Sequence, residues 1–119
     1  DLDIPVRVEG LPTVREADGL AMSSRNAYLS ADERARAPEL NRALLDAASA
    51  LAGGAEAATV LEAVRARITA AGFGSIDYVE LRDADTLEPV SRVERRARLL
   101  AAAWMGKARL IDNVPVLPA

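Results

Sequence analysis

Residues 98–112 read Arg98-Leu99-Leu100-Ala101-Ala102-Ala103-Trp104-Met105-Gly106-Lys107-Ala108-Arg109-Leu110-Ile111-Asp112. Residues 98–104 form an almost unbroken apolar run, which is typical of a central strand covered on at least one face. Residues 105–107 predict a short hairpin connection in which Gly106 adopts a positive φ. Residues 108–112 then return as an antiparallel strand, and we expect an extended tail over residues 114–118.

Two other stretches predict strands. Residues 76–81 place Val79 and Leu81 on one face, with Tyr78 on the other. Residues 4–9 alternate apolar with other residues and predict a short strand that ends at Gly10. We expect residues 76–81, 98–104 and 108–112 to form a three-stranded sheet with residues 98–104 in the middle.

Three helical pieces precede the sheet. The first begins at Ser30, because Ser30 and Glu33 have the spacing of a capping box, in which each side chain accepts a hydrogen bond from the other residue's backbone N–H. Pro38 cannot continue that helix and fits the first turn of a second one, over residues 38–51. A third helix spans residues 56–71, with Gly72 as its C-cap. These patterns predict an α+β fold, a helical layer packed on a three-stranded antiparallel sheet.

The core is expected to be aliphatic, because half of the 119 residues are apolar but only 3% are aromatic. The helices carry apolar stripes at three- and four-residue spacing. The stripe residues are Leu40, Leu44, Ala47, Ala48, Leu51, Val60, Leu61, Val64 and Ile68. The few large pieces would be Phe73, Trp104, Tyr28 and Tyr78.

Composition excludes several classes of function. A net charge of −3 argues against a nucleic-acid surface. The chain has no cysteine for disulfides or thiolate chemistry, and no histidine, the commonest general base and metal ligand. No apolar run approaches the roughly 20 residues of a membrane span, and the first residues lack the pattern of a signal peptide. A cytoplasmic protein of one domain is therefore expected.

Residues 18–29 are the best candidate for chemistry: Asp18-Gly19-Leu20-Ala21-Met22-Ser23-Ser24-Arg25-Asn26-Ala27-Tyr28-Leu29. Ser23 and Ser24 each offer a hydroxyl donor, and the Arg25 guanidinium matches phosphate oxygens bidentately. Gly19 lets the backbone turn or approach a ligand closely. Such a group could hold a polyphosphate, although the same residues also suit a polar loop that leads into a helix cap.

The surrounding residues favour the polyphosphate. Residues 12–29, together with Asp77-Tyr78-Val79-Glu80-Leu81-Arg82-Asp83 and residues 102–113, closely resemble the pantothenate synthetase family. This family joins pantoate to β-alanine with ATP, through a pantoyl adenylate. The resemblance implies that residues 1–10 hold the last strand of an N-terminal nucleotide-binding domain, residues 11–29 an ATP-covering loop, and residues 30–119 a C-terminal lid domain. It also implies that the loop is poorly ordered without the N-terminal domain.

The resemblance also assigns roles within the loop. Val14 would bring its backbone against the adenine edge, and Met22 would lie near the adenine or ribose. Ser23 and Ser24 would hydrogen-bond phosphate oxygens, and Arg25 would neutralise the β- and γ-phosphates as pyrophosphate leaves. Related synthetase loops carry lysines where this chain has Ser24 and Arg25, which implies a weaker clamp or a greater dependence on Mg²⁺ bound to ATP.

The family's pantoate and β-alanine contacts and its histidine-containing ATP motif have no counterpart in this chain. The implied partners are therefore the N-terminal domain and the substrates ATP, pantoate and β-alanine. The chain alone is expected to be inactive, and monomeric although the family forms homodimers. The alternative is a non-catalytic interaction module that keeps only the scaffold.

Other candidate sites favour structural interpretations. Asp83 and Asp85 lack the further oxygen ligands of a calcium loop, so a turn is expected there and no metal site is predicted. The basic side chains between residues 92 and 98 are expected to be a solvated face balanced by Glu88 and Glu94. Trp104 is expected to be a packing anchor.

Overall fold

The computed structural model describes Ala17, Leu20 and residues 29–118. Within these residues the chain forms three helices followed by three strands. The elements are α1 (Ala31–Arg36), α2 (Glu39–Ala52), α3 (Ala57–Ala70), β1 (Ile76–Asp83), β2 (Ala97–Met105) and β3 (Ala108–Val116). The α+β prediction is confirmed, and the predicted strand over residues 4–9 lies outside the described residues.

The strands form one antiparallel sheet in the order β1-β2-β3, so the prediction that residues 98–104 are central is confirmed. The tail prediction is wrong for residues 114–116, because Val116 pairs with Ala97 and β3 continues that far. Pro115 is tolerated there because β3 is an edge strand, where a missing N–H need not cost a ladder hydrogen bond. Gly106 has the predicted positive φ, at 60°.

The helices cover one face of the sheet. Helix α2 packs on β3, α3 packs on β1, and the two helices pack against each other. The predicted stripes are buried apart from Ala48 and Leu61, which are partly buried at the edge of the core. Pro38 is the N-cap of α2 and not part of its first turn, and Ala71 is the C-cap of α3, one residue before Gly72.

The predicted large core residues divide between buried and exposed positions. Phe73 is buried as predicted, and Tyr78 is half-buried. The packing role predicted for Trp104 is wrong: side chains alternate along β2, so that Ala103 and Met105 face the helices while Trp104 points to the opposite face and stays 36% exposed. Tyr28 lies outside the described residues.

No helix within residues 29–118 is long and apolar enough to cross a lipid bilayer.

Candidate functional site

The five predicted site residues lie outside the described part of the chain. These are Val14, Met22, Ser23, Ser24 and Arg25. The structure does describe one residue on each side of residues 22–25, Leu20 before them and Leu29 after them, and both contact the hydrophobic core. The candidate site is therefore built from these attachments and from the element that follows, α1.

Leu20 is the first attachment. Its side chain is only 3% exposed and belongs to the same hydrophobic core cluster as the buried residues of the helices and the sheet. Leu29 is partly buried against that core. Most of the loop expected to be poorly ordered, residues 11–29, lies outside the described part of the chain, so that expectation stays a prediction.

Helix α1 begins directly after Leu29 with the predicted capping box. The backbone N–H of Glu33 donates to the Ser30 hydroxyl oxygen at 3.1 Å, and the N–H of Ser30 donates to Glu33 Oε1 at 2.9 Å. The start of a helix leaves several backbone N–H groups without intrahelical partners, and the capping box provides acceptors for two of them, those of Ser30 and Glu33. The start of α1 is therefore stabilised by two side chains, Ser30 just before the helix and Glu33 within it.

Glu33 also lies against the β2–β3 hairpin. A β-carbon placed on Gly106 would come within 2.3 Å of Glu33 Oε2, so the carboxylate occupies the space that a side chain at Gly106 would need. One oxygen of Glu33 thus caps α1 while the other contacts the hairpin turn.

Arg36 makes a second contact between α1 and the rest of the domain. Its Nη1 donates to the carbonyl oxygen of Ala71 at 3.1 Å, at the C-terminal end of α3, and its Nη2 lies 2.8 Å from Asp32 Oδ2. Gly72 has φ 107°, and a β-carbon there would come within 1.7 Å of Arg36 Nη1. The guanidinium therefore fills the space over a second glycine of positive φ.

A buried polar group lies on β3, within the stretch that carries the family resemblance. Asp112 is 3% and Asn113 8% exposed, and the Asn113 N–H donates to Asp112 Oδ1 at 2.7 Å. Arg98 Nη1 on β2 donates to Asn113 Oδ1 at 3.1 Å. Burial, followed by the nearby charge of Arg96, lowers the pKa of Arg98.

The open face of the sheet carries a second polar group near the hairpin. Arg109 reaches from β3 to Asp77 on β1, with Nε 2.6 Å from Oδ2. Asp77 is the extra residue where the β1–β2 register shifts between Ile76 and Tyr78. Burial raises the pKa of Tyr78, so its hydroxyl stays protonated at neutral pH.

The other sequence candidates are structural. The turn predicted at Asp83 is confirmed: Asp83 Oδ1 accepts from the N–H groups of Asp85 and Thr86. The predicted balance of the arginine cluster by Glu88 and Glu94 is wrong, because Arg95 pairs with Asp83 at 2.7 Å and Arg96 with Asp85 at 3.0 Å. These aspartates lie at the end of β1 and in the following turn, which the sheet brings beside the start of β2.

The described residues contain no group of three His, Cys, Asp or Glu side chains placed to hold a metal ion. Sequence reasoning missed the contacts of Glu33 and Arg36 with the two glycines. Glu33 was visible as part of the capping box, but nothing in the sequence connects it to Gly106, 73 positions away by subtraction of the residue numbers.

Comparison with known proteins places the chain in a family. The model of the family described as pantoate–β-alanine ligase matches residues 1–115. The chain is 55% identical over 118 residues to the pantothenate synthetase of Paramagnetospirillum magneticum, covering 99% of this chain and 42% of that protein. It is 58% identical over 116 residues to the one from Cereibacter sphaeroides, covering 98% of this chain and 42% of that protein.

Solved structures agree with this result. The crystal structure of pantothenate synthetase from Thermus thermophilus superposes with a TM-score of 0.80 at 43% identity, over 91% of this chain and 39% of that one. Pantoate–β-alanine ligase from Francisella tularensis, complexed with β-γ ATP and β-alanine, gives a TM-score of 0.55 at 25% identity, over 87% of this chain and 31% of that one. The chain thus spans about 42% of the length of the curated relatives it matches, and it belongs to the pantoate–β-alanine ligase family.

Proposed function

We propose that this chain is the C-terminal, ATP-covering part of a pantothenate synthetase. The observation that carries the proposal is the match to the ligase family over residues 1–115, which includes all of residues 18–29. The Francisella relative complexed with β-γ ATP and β-alanine supports ATP and β-alanine as substrates. Burial of Leu20 and capping at Ser30 support a defined attachment of the loop between them.

In the proposed reaction, a pantoate carboxylate oxygen attacks the α-phosphorus of ATP, and pyrophosphate leaves. The neutral β-alanine amine then attacks the carbonyl carbon of pantoyl adenylate, AMP leaves, the nitrogen releases one proton to solvent, and pantothenate forms. The part played by this chain is positioning and charge stabilisation. Ser23 and Ser24 donate hydrogen bonds to phosphate oxygens, and Arg25 stabilises the charge that develops on pyrophosphate.

Two further loop residues complete the nucleotide contacts. Val14 places its backbone along the adenine edge, and Met22 lies beside the adenine or ribose. A Mg²⁺ ion bound to ATP would neutralise part of the phosphate charge. Arg25 adds a permanent cation, since a guanidinium does not lose its proton at neutral pH.

The proposal makes the isolated chain inactive, because pantoate, β-alanine and most of ATP would contact the part of the longer relatives that this chain does not match. A direct test is a chimera in which this chain replaces the matching 42% of the Paramagnetospirillum magneticum enzyme. AMP release is measured with pantoate, β-alanine and ATP. We expect turnover from the chimera and less than about 1% of it from the 119-residue chain.

Arg25→Ala in the chimera should lower kcat/KM for ATP by about a hundredfold, since it removes a charge-assisted contact made to the leaving pyrophosphate. Arg65→Ala is the matched control, because Arg65 is a partly exposed arginine of α3 that lies outside the proposed site. An inactive but folded chimera would favour the alternative, a non-catalytic interaction module. Unchanged kinetics in Arg25→Ala would show that the role given to Arg25 is wrong.

A further inference from the structure

Helix α1 is held to the domain mainly by polar contacts. None of its six residues is buried. The chain enters the core after the C-terminal end of α1, through Ala37 and Pro38, and just before its N-terminal end Leu29 is partly buried against the core. Between these two points the orientation of α1 depends on contacts made by its own side chains, none of which is buried.

Two such contacts arise from one face of α1. Glu33 and Arg36 are three residues apart, so they project from the same side of the helix. Glu33 lies against Gly106 in the β2–β3 turn, and Arg36 lies against Gly72 at the end of α3 and donates to the Ala71 carbonyl. One acidic and one basic side chain thus connect α1 to two different elements.

Both contacts need glycine for two separate reasons. Gly72 and Gly106 have φ values of 107° and 60°, which glycine adopts at little cost. Each glycine also lacks the side chain that would clash with a charged group of α1. An added β-carbon would come within 1.7 Å of Arg36 Nη1 at Gly72, or within 2.3 Å of Glu33 Oε2 at Gly106. Any side chain at these glycines would displace the contact from α1.

We propose that Glu33 and Arg36 are positioning residues of the ligase reaction. They hold α1 at a set distance from the hairpin and from α3, and through Leu29 and Ser30 they determine where residues 23–25 meet the triphosphate. This inference rests on the proposed function. Because α1 buries no side chain of its own, its displacement changes the adenylation step much more than the stability of the domain.

The test uses the chimera with Glu33→Ala, Glu33→Gln and Arg36→Ala. Pantoate-dependent exchange of labelled pyrophosphate into ATP reports adenylation alone. For Glu33→Ala and Arg36→Ala we expect kcat/KM for ATP to fall about tenfold, because small displacements of a positioned group are costly. KM for β-alanine should stay within about twofold. Glu33→Gln should behave like the parent, since glutamine also completes a capping box.

Glu62→Ala and Arg65→Ala are the matched controls, since they remove one acidic and one basic side chain of α3, Glu62 being exposed and Arg65 partly exposed. Gly106→Ala provides an independent approach, because its methyl group should displace Glu33. If Gly106 acts through Glu33, the double variant Glu33→Ala/Gly106→Ala should lose no more exchange activity than Gly106→Ala alone.

Parent-like exchange in Glu33→Ala and Arg36→Ala would overturn the inference while leaving the proposed function intact, provided that Arg25→Ala is impaired. Equal decreases in kcat/KM for ATP and for β-alanine, together with a matching loss of thermal stability, would also overturn the inference, since they indicate a purely structural role. An inactive chimera, or an unimpaired Arg25→Ala, would instead refute the proposed function.

Discussion

Truncating Leu20 to alanine tests whether the predicted ATP loop is attached to the core. Leu20 is 3% exposed and lies in the main hydrophobic cluster. Leucine-to-alanine changes at buried sites cost about 2–5 kcal/mol of unfolding free energy. A site where the chain can collapse into the space falls at the lower end, so we expect a loss of about 2–3 kcal/mol.

The assay is chemical and thermal unfolding of the 119-residue chain. A loss of about 2–3 kcal/mol corresponds to a fall in Tm of about 10 °C for a domain of this size. Leu44→Ala, at a fully buried position on α2, shows how large the loss of unfolding free energy can be in this core. Leu45→Ala is the matched control on the same helix: Leu45 is 52% exposed, so its truncation should change stability by less than about 0.5 kcal/mol.

The result also distinguishes local from global attachment. If residues around Leu20 detach before the domain unfolds, the measured loss is limited to the free energy of that local opening. In that case Leu20→Ala still raises KM for ATP in the chimera, whereas Leu45→Ala does not. Unfolding and kinetics both indistinguishable from those of Leu45→Ala would refute the claim that Leu20 anchors the loop.

Three further predictions concern polar contacts. Ser30→Ala should lower the unfolding free energy by about 1 kcal/mol, while Ser30→Asp should keep most of it, as measured by urea unfolding. Arg67 pairs with Glu39 and Asp46, and the hydrogen bond to Asp46, followed by that to Glu39, raises the pKa of Arg67. Because Arg67 is 36% exposed, Arg67→Ala should lower the unfolding free energy by at most about 1 kcal/mol, and this loss should be smaller in 1 M salt. A loss that does not change with salt would show that the two pairs contribute no charge interaction. Hydrogen bonds from the N–H groups of Thr86 and Asp85, then the charge of Arg95, lower the pKa of Asp83, so its stabilisation is present above the ordinary aspartate pKa of 3.8 and is lost as pH falls below it. The Tm difference between the parent and Asp83→Asn should therefore narrow in thermal scans from pH 6 to pH 2, and a constant difference would contradict the assignment.

Local patterns predict the elements of this fold well, because each element carries its own signal. The capping box at Ser30 and the apolar stripe of α2 need no information from distant residues. The end of β3 was missed because residues 114–116 have no alternation that separates a strand from a tail. Their pairing with residues 97–99 of β2 is a tertiary contact.

The exposure of Trp104 could not be predicted for a related reason. Residues 99–105 are apolar at both odd and even positions, so periodicity does not indicate which face the helices cover. The partners of Arg95 and Arg96 depend on the turn after β1, which places Asp83 and Asp85 closer than Glu88 and Glu94. Charge composition alone does not distinguish Asp83 and Asp85 from Glu88 and Glu94 as the partners of these arginines.

The candidate site was predicted by resemblance and not by local physics. Ser23, Ser24 and Arg25 suit a phosphate, but they suit a polar loop equally well. What the structure adds is the attachment of that segment, through Leu20 on one side and through Ser30, Glu33 and α1 on the other. The capping box of Ser30 and Glu33 was predicted from the sequence, but the contact of Glu33 with Gly106 and the burial of Leu20 in the core involve residues far apart in sequence, so no motif contained them.

The chain should add no ionisation of its own to the reaction near neutral pH. It has no histidine or cysteine. Among the described residues whose pKa is shifted, Asp83 is held ionised, Tyr78 is held protonated, Arg67 is more strongly basic than usual and Arg98 is less strongly basic than usual. Neither guanidinium loses its proton near neutral pH. Arg25, the proposed phosphate contact, keeps its charge at neutral pH.

Accordingly, the pH dependence of kcat/KM for ATP should have the same shape in the chimera and in the parent Paramagnetospirillum magneticum enzyme between pH 6 and pH 9. A constant ratio of the two profiles is expected, whatever its value, because bell-shaped profiles report the ionisations of essential acids and bases. Arg25→Lys should preserve that shape at a lower rate, since lysine also stays protonated in this range. An additional ionisation in the chimera would show that this chain supplies an acid or base to the reaction, and that its contribution is not limited to charge and position.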